Sequence, residues 1–245
     1  MMRHVALLLS LAVCLAGCGQ KQAEQDEKAV NAIHKLGGTV IDGRMGVAVS
    51  LDQCQITDAD LKVLKEIKGL QRLILAGTQI TGAGLKNLKE LKDLRSLVLA
   101  DTRITDASLK DLKELKGLKS LDLGRTRITD AGLKELKEFE GLEALWLNDT
   151  QITDAGLKEL KELKGLDQLD LSGTHITDAG LKELKELKGL LNLHINGTQI
   201  TDAGLKELKE LKRLQWLWLD NTQNTDAGLK DLKQALPKIE IFGGP

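Results

Sequence analysis

The chain has almost no aromatic residues: three tryptophans, two phenylalanines and no tyrosine among 245 residues. Its core must therefore be built from leucine and isoleucine, and any tryptophan present needs a reason of its own. Cysteine is scarce too, with Cys14, Cys18 and Cys54 the only three. The first two fall in or directly behind an N-terminal apolar run, which leaves Cys54 without an intramolecular partner, so the exported domain must be stable by packing alone. No excess of one charge exists either: lysine and arginine number 35 against 36 aspartates and glutamates. Without a basic field the chain has no electrostatic means of holding nucleic acid. There is no phosphate-binding glycine loop, no C-x-x-C pair and no G-x-S-x-G elbow.

The longest N-terminal apolar run, Val5 to Ala16, follows Arg3 and His4 and is too short to span a bilayer; it has the n-region and h-region of a secretory signal. It closes on Leu15-Ala16-Gly17-Cys18, which resembles a bacterial lipobox, in which the cysteine is lipidated and becomes the new N-terminus. That resemblance implies a signal peptide over 1–17, a lipid anchor on Cys18 and a linker over 18–27. Acyl chains contribute about 0.8 kcal/mol per buried CH₂, so several together hold firmly. Gly19 in place of aspartate points to the outer membrane or periplasmic side of the envelope. Ala29, Ile33 and Leu36 share one helical face that ends at Gly37-Gly38, which makes residues 28–46 an N-terminal cap.

From residue 47 to 236 the chain repeats with a fixed period: Leu70, Leu94, Leu118, Leu142, Leu166, Leu190 and Leu214 are each 24 residues apart. Periods of this length mark a solenoid, whose units bury their apolar sides only against one another. In Leu142–Leu147 the leucines at 145 and 147 alternate with Ala144 and Trp146, the period of a strand with one buried face. After Thr150 and Ile152, the segment Thr153-Asp154 can cap a helix, and Leu157, Leu160 and Leu163 then recur every three residues as a short inward stripe. The lysines and glutamates between them form a solvated outer face with weak pairing. Residues 237–245 supply a closing strand, Ile239 to Phe242, with Pro237 and the Gly-Gly-Pro tail protecting its edge. Cys54 stands in a column otherwise filled by threonine, where a buried structural thiol is expected.

The consensus L-x-x-L-x-L-x-x-T-x-I-T-D-A-G-L-x-x-L resembles the leucine-rich repeat, with threonine (78, 102, 126, 150, 174, 198, 222) where asparagine usually stands. The I-T-D-A-G-L segment and the closing Ala235-Leu236-Pro237 are similar to leucine-rich lipoproteins of planctomycete-type bacteria. The resemblance implies an α/β horseshoe with a parallel sheet on its concave face and short helices on its convex face.

Aligned by period, Ser50, Ile74, Val98, Asp122, Trp146, Asp170, His194, Trp218 and Phe242 form one concave column. Ala48, Arg72, Ser96, Ser120, Ala144, Gln168, Asn192, Trp216 and Glu240 form the other. These columns scarcely repeat a residue, whereas the outer K-E-L-K-E-L-K-G is nearly invariant. All three tryptophans fall on the concave columns, where large rings serve as partner anchors. The candidate binding residues are Trp146, Trp216, Trp218, His194, Asp170, Asp122, Asn192 and Asp220. The competing reading is that tryptophan merely suits strands or fills space between neighbouring side chains.

A nucleophile–base pair from Ser172 and His194, with Asp170 behind, is disfavoured because the diagonal between them is about 7–8 Å. Asp122, Asp170 and His194 make no tight metal-ligand set. The reading is thus a non-enzymatic, lipid-anchored module without a cofactor, taking a protein or, secondarily, a polysaccharide on its concave face. The alternative is a passive envelope scaffold.

Overall fold

A computed structural model describes residues 18–43 and 46–244, with the side chains of the first helix described from Glu27 onward. The assigned signal peptide lies outside the described residues, as does any contact of the Cys18 side chain. Helix α1 spans Cys18–Lys35. The segment expected to be a linker without pattern is thus continuous with the capping helix. Ala29 and Ile33 are buried and Leu36 packs against the core, so α1 covers the open end of the array as its spacing predicts. Among the described residues no helix is long and apolar enough to cross a membrane.

Ten strands form a single sheet in sequence order. β1 (Thr39–Gly43) and β2 (Gly46–Ser50) pair antiparallel. All later neighbours pair in parallel: β3 (Leu70–Ile74), β4 (Ser96–Val98), β5 (Ser120–Asp122), β6 (Ala144–Trp146), β7 (Gln168–Asp170), β8 (Asn192–His194), β9 (Trp216–Trp218) and β10 (Glu240–Phe242). Alternation decides which face is inside: in β6 to β9 the middle leucines 145, 169, 193 and 217 are buried and their neighbours are half-buried or exposed, except the small Ala144, which is covered too. One continuous cluster of leucine and isoleucine runs the length of the array, with Phe139 its one fully buried ring. The convex side carries short helices: Asp154–Leu157 tightens into three-residue turns over Lys158–Glu162, while Asp130–Leu136 and Asp202–Leu208 stay α-helical with the same leucine spacing.

Three features of the turn after each strand explain why the copies are so alike. First, the buried threonines of that turn donate their hydroxyls to the carbonyl three residues earlier, at 2.5–2.8 Å in the series from Thr78 to Thr222, which satisfies a polar group at the edge of the core. The residue just before each of these threonines has φ near +60°, whether glycine (Gly77, Gly173, Gly197) or not (Asp101, Arg125, Asp149, Asn221). Second, the second threonine of each copy caps its helix: Thr153 accepts from the Ala155 amide. Third, the aspartate after it does not cap its own helix. Asp154 reaches the next copy, where its two oxygens accept from the Thr177 amide and hydroxyl, both at 2.7 Å. The same pair of bonds links Asp58 to Thr81, Asp106 to Thr129, Asp130 to Thr153, Asp178 to Thr201 and Asp202 to Thr225. Glycine is required at 84, 132, 156, 180, 204 and 228 because a Cβ there would collide with the incoming carboxylate.

One rung breaks this rule in both members at once. Position 82 is glycine, not aspartate, and position 108, where the matching glycine belongs, is Ser108. Its hydroxyl fills the vacated space beside Gly82 and accepts from the Thr105 amide at 3.3 Å, replacing the lost carboxylate with a local capping box.

Candidate functional site

The strand register places the two concave columns as the period alone implies. Asp122 pairs with Trp146, Trp146 with Asp170, Asp170 with His194, His194 with Trp218 and Trp218 with Phe242. In the second column Gln168 pairs with Asn192, Asn192 with Trp216 and Trp216 with Glu240. Of the sequence candidates only Asp220 lies outside these strands, in the turn beyond β9, where its amide donates to the Asn196 side chain at 2.8 Å.

The tryptophans are half-buried rather than exposed. The cause at Trp218 is stacking: its ring lies 3.9 Å from that of His194 at 8°, and 4.8 Å from that of Phe242 at 14°. Adjacent parallel strands set side chains one rung apart, close to the spacing of stacked rings, so three planar groups in one column nest. Both faces of Trp218 are therefore covered within the chain, and space-filling is part of its role. Trp216 and Trp146 stand in no such stack among the described residues.

Around Trp146 the column is acidic on both sides. Asp122 accepts from the Gly124 amide at 2.9 Å and Asp170 from the Ser172 amide at 2.8 Å, each through one oxygen. Neither carboxylate joins an ion pair among the described residues. Burial holds the Asp122 carboxyl above its ordinary range; the Gly124 amide opposes this and the charge of Asp170 adds to it. Burial lowers His194 below the usual histidine range, against a pull upward from Asp170. Asp167, at the margin, is also raised by burial and by Glu143, with Arg213 opposing, and its Oδ1 is buried without a partner. Asn192 Oδ1 is likewise buried and unpartnered. Downstream of Arg72 neither column contains a lysine or arginine, while Asp122, Asp170 and Glu240 contribute three carboxylates. That half of the concave face offers acceptors and ring edges, and few donors.

The catalytic arrangement is not assembled. The Ser172 hydroxyl accepts from the Asn196 side chain at 3.2 Å, the His194 ring is committed to Trp218, and no hydrogen bond joins the two among the described residues. No cluster of potential metal ligands occurs among them. Cys54 packs against the core but is half-buried, not fully, because it occupies the first turn, where only the α1–β1 junction at Gly37 lies over it.

Sequence reasoning missed the aspartate–threonine link, having assigned Thr-Asp wholly to local capping. The signal was present: aspartate is lost at 82 in step with the glycine at 108.

Comparison with known proteins agrees with this architecture. The family model described as Leucine Rich repeat matches residues 118–137, 166–185 and 190–209. The chain is a leucine-rich-repeat solenoid. Among solved structures, this solenoid is similar to internalin C2 from Listeria monocytogenes, with a TM-score of 0.63 and 26% sequence identity over 79% of this chain and 80% of that one. The leucine-rich repeats account for that likeness. No curated protein matches the sequence.

Proposed function

We propose that this leucine-rich-repeat protein is a non-enzymatic binding module, held in the cell envelope by lipid on Cys18, that takes a protein partner on the concave face of β5 to β10. Leucine-rich-repeat arrays in general serve as protein-binding scaffolds, which makes a protein the first choice of partner. The observation that carries the reading is the placement of Trp146, Trp216 and Trp218 on the two concave columns and nowhere else in the chain. Rings at such positions lose little entropy on burial and dominate interface energetics. The covered faces of Trp218 remove that ring as a platform for the pyranose of a polysaccharide and leave Trp146 and Trp216 as the rings offered to a partner. Asp122 argues in the same direction: its carboxyl is held above the ordinary range by burial and joins no ion pair among the described residues, a costly choice for a surface selected for shape alone.

The test is capture from envelope extract by immobilised protein. Trp146→Ala combined with Trp216→Ala should abolish capture of a specific protein band while circular dichroism and the melting temperature stay near those of the parent. Unchanged capture would leave the passive scaffold as the better reading. For the anchor, metabolic labelling with palmitate should mark the parent and not Cys18→Ala; equal labelling of both would remove lipidation at that residue.

A further inference from the structure

We propose that the stretch Asp122–Trp146–Asp170 is a receptor for the arginine or lysine side chains of a basic polypeptide segment, which deepens and rests on the concave-face reading above. Three consecutive rungs place an indole between two carboxylates, with the two acids about 10 Å apart at the usual strand spacing. A guanidinium laid over Trp146 is within reach of both acids, and cation attraction to an indole face strengthens as water is excluded.

Charge complementarity fixes the sign of the partner. Each acid has one oxygen tied to a backbone amide, which orients it, and no cation of this chain joins either in an ion pair among the described residues. Basic residues of the neighbourhood are spent elsewhere: Lys119 pairs with Glu143 at 2.8 Å and Arg125 with Asp149 at 3.3 Å. Two carboxylates without ion pairs beside a half-buried indole call for a partner rich in donors, and arginine supplies five in a rigid fork beside a planar surface. A cation beside Asp122 favours its charged form and so offsets the burial that holds its carboxyl up.

The experiment uses Trp146 as reporter. In the full chain carrying Trp216→Phe and Trp218→Phe, Trp146 is the sole tryptophan, and its fluorescence is titrated with octa-arginine peptide and, separately, with cellohexaose. The expected result is a saturable change with octa-arginine, weakened by salt and at least tenfold weaker in affinity when Asp122→Asn and Asp170→Asn are added, with Glu162→Gln and Glu186→Gln together on the convex side as a charge-matched control without effect. Asparagine keeps the shape and the amide-accepting oxygen, so loss of fold does not mimic the result. Equal affinity in the double asparagine variant overturns the proposal, as does a response to cellohexaose matching that to octa-arginine. The two readings fail separately: envelope capture lost in the tryptophan variants but intact in the asparagine ones keeps concave recognition and removes the basic partner.

Discussion

The turn side and the concave side of this solenoid are built from the same number of copies, yet one is nearly invariant and the other hardly repeats. On the turn side the threonines bond within their own copy, and the aspartate and glycine tie it to the next: the aspartate holds a threonine 23 residues on, and a glycine makes room for the carboxylate. A change in one copy damages the adjacent one, so identity propagates along the array. On the concave side His194, Trp218 and Phe242 stack on one another, and elsewhere any pair one rung apart that avoids a clash or a like-charge contact is accepted. Packing thus accounts for Trp218, whereas Trp146 and the acids beside it join no stack and no ion pair among the described residues, and their choice reflects something other than the packing of rings.

Substitutions that exchange the two kinds of position break or sharpen this contrast. The largest effect is expected for Asp154→Ala, which strips the Thr177 amide and hydroxyl of a charged acceptor in a half-buried setting; urea unfolding should register a loss of about 2–3 kcal/mol. A loss below about 0.5 kcal/mol would mean that the link is decorative. Next is the exchanged rung. Gly82→Asp alone should destabilise by about 1–2 kcal/mol, because its carboxylate meets the Ser108 hydroxyl, and Ser108→Gly alone removes a cap for about 1 kcal/mol. Together they should restore the consensus and reach or exceed parental stability, and simple additivity in a double-mutant cycle would refute the coupling. The smallest effect is on the concave side. Asp122 has a folded pKa above its unfolded one, so its ionisation opposes folding, and its own contribution to stability rises as pH falls through the range where it takes up its proton, against the opposite contribution of Asp202, whose carboxyl the Thr225 bonds hold down. Asp122→Asn should lose that pH dependence and stabilise at neutral pH by up to about 1 kcal/mol, read from melting curves at pH 4 and pH 7.

Most of the fold was legible because the repeat is strict: the period fixed the strand register without error, from Ser50 opposite Ile74 to Trp218 opposite Phe242. The capping face of α1 was legible from Ala29 and Ile33 for the same reason, that apolar spacing reports burial directly. What spacing cannot report is the partner of a polar group. Thr153-Asp154 reads as a local cap because both residues suit that position, and only coordinates reveal that one of them serves the neighbouring copy. The stacking of His194 on Trp218 was similarly out of reach, since a column position gives the rung of a ring and not its tilt. The likeness of this solenoid to internalin C2 speaks to architecture, and the concave residues remain this chain's own.

The missing aspartate at position 82 has a mechanical consequence. From Asp106 to Thr225 every junction between copies is stitched by a carboxylate that accepts two hydrogen bonds across it, whereas at the junction between Gly82 and Thr105 the stitch is absent and Ser108 binds only within its own copy. A force applied between the two ends of the array concentrates its opening there, with the copies before residue 105 peeling away as one leaf. The concave half that carries the tryptophans lies wholly on the stitched side, and it stays assembled while the N-terminal leaf takes up the strain.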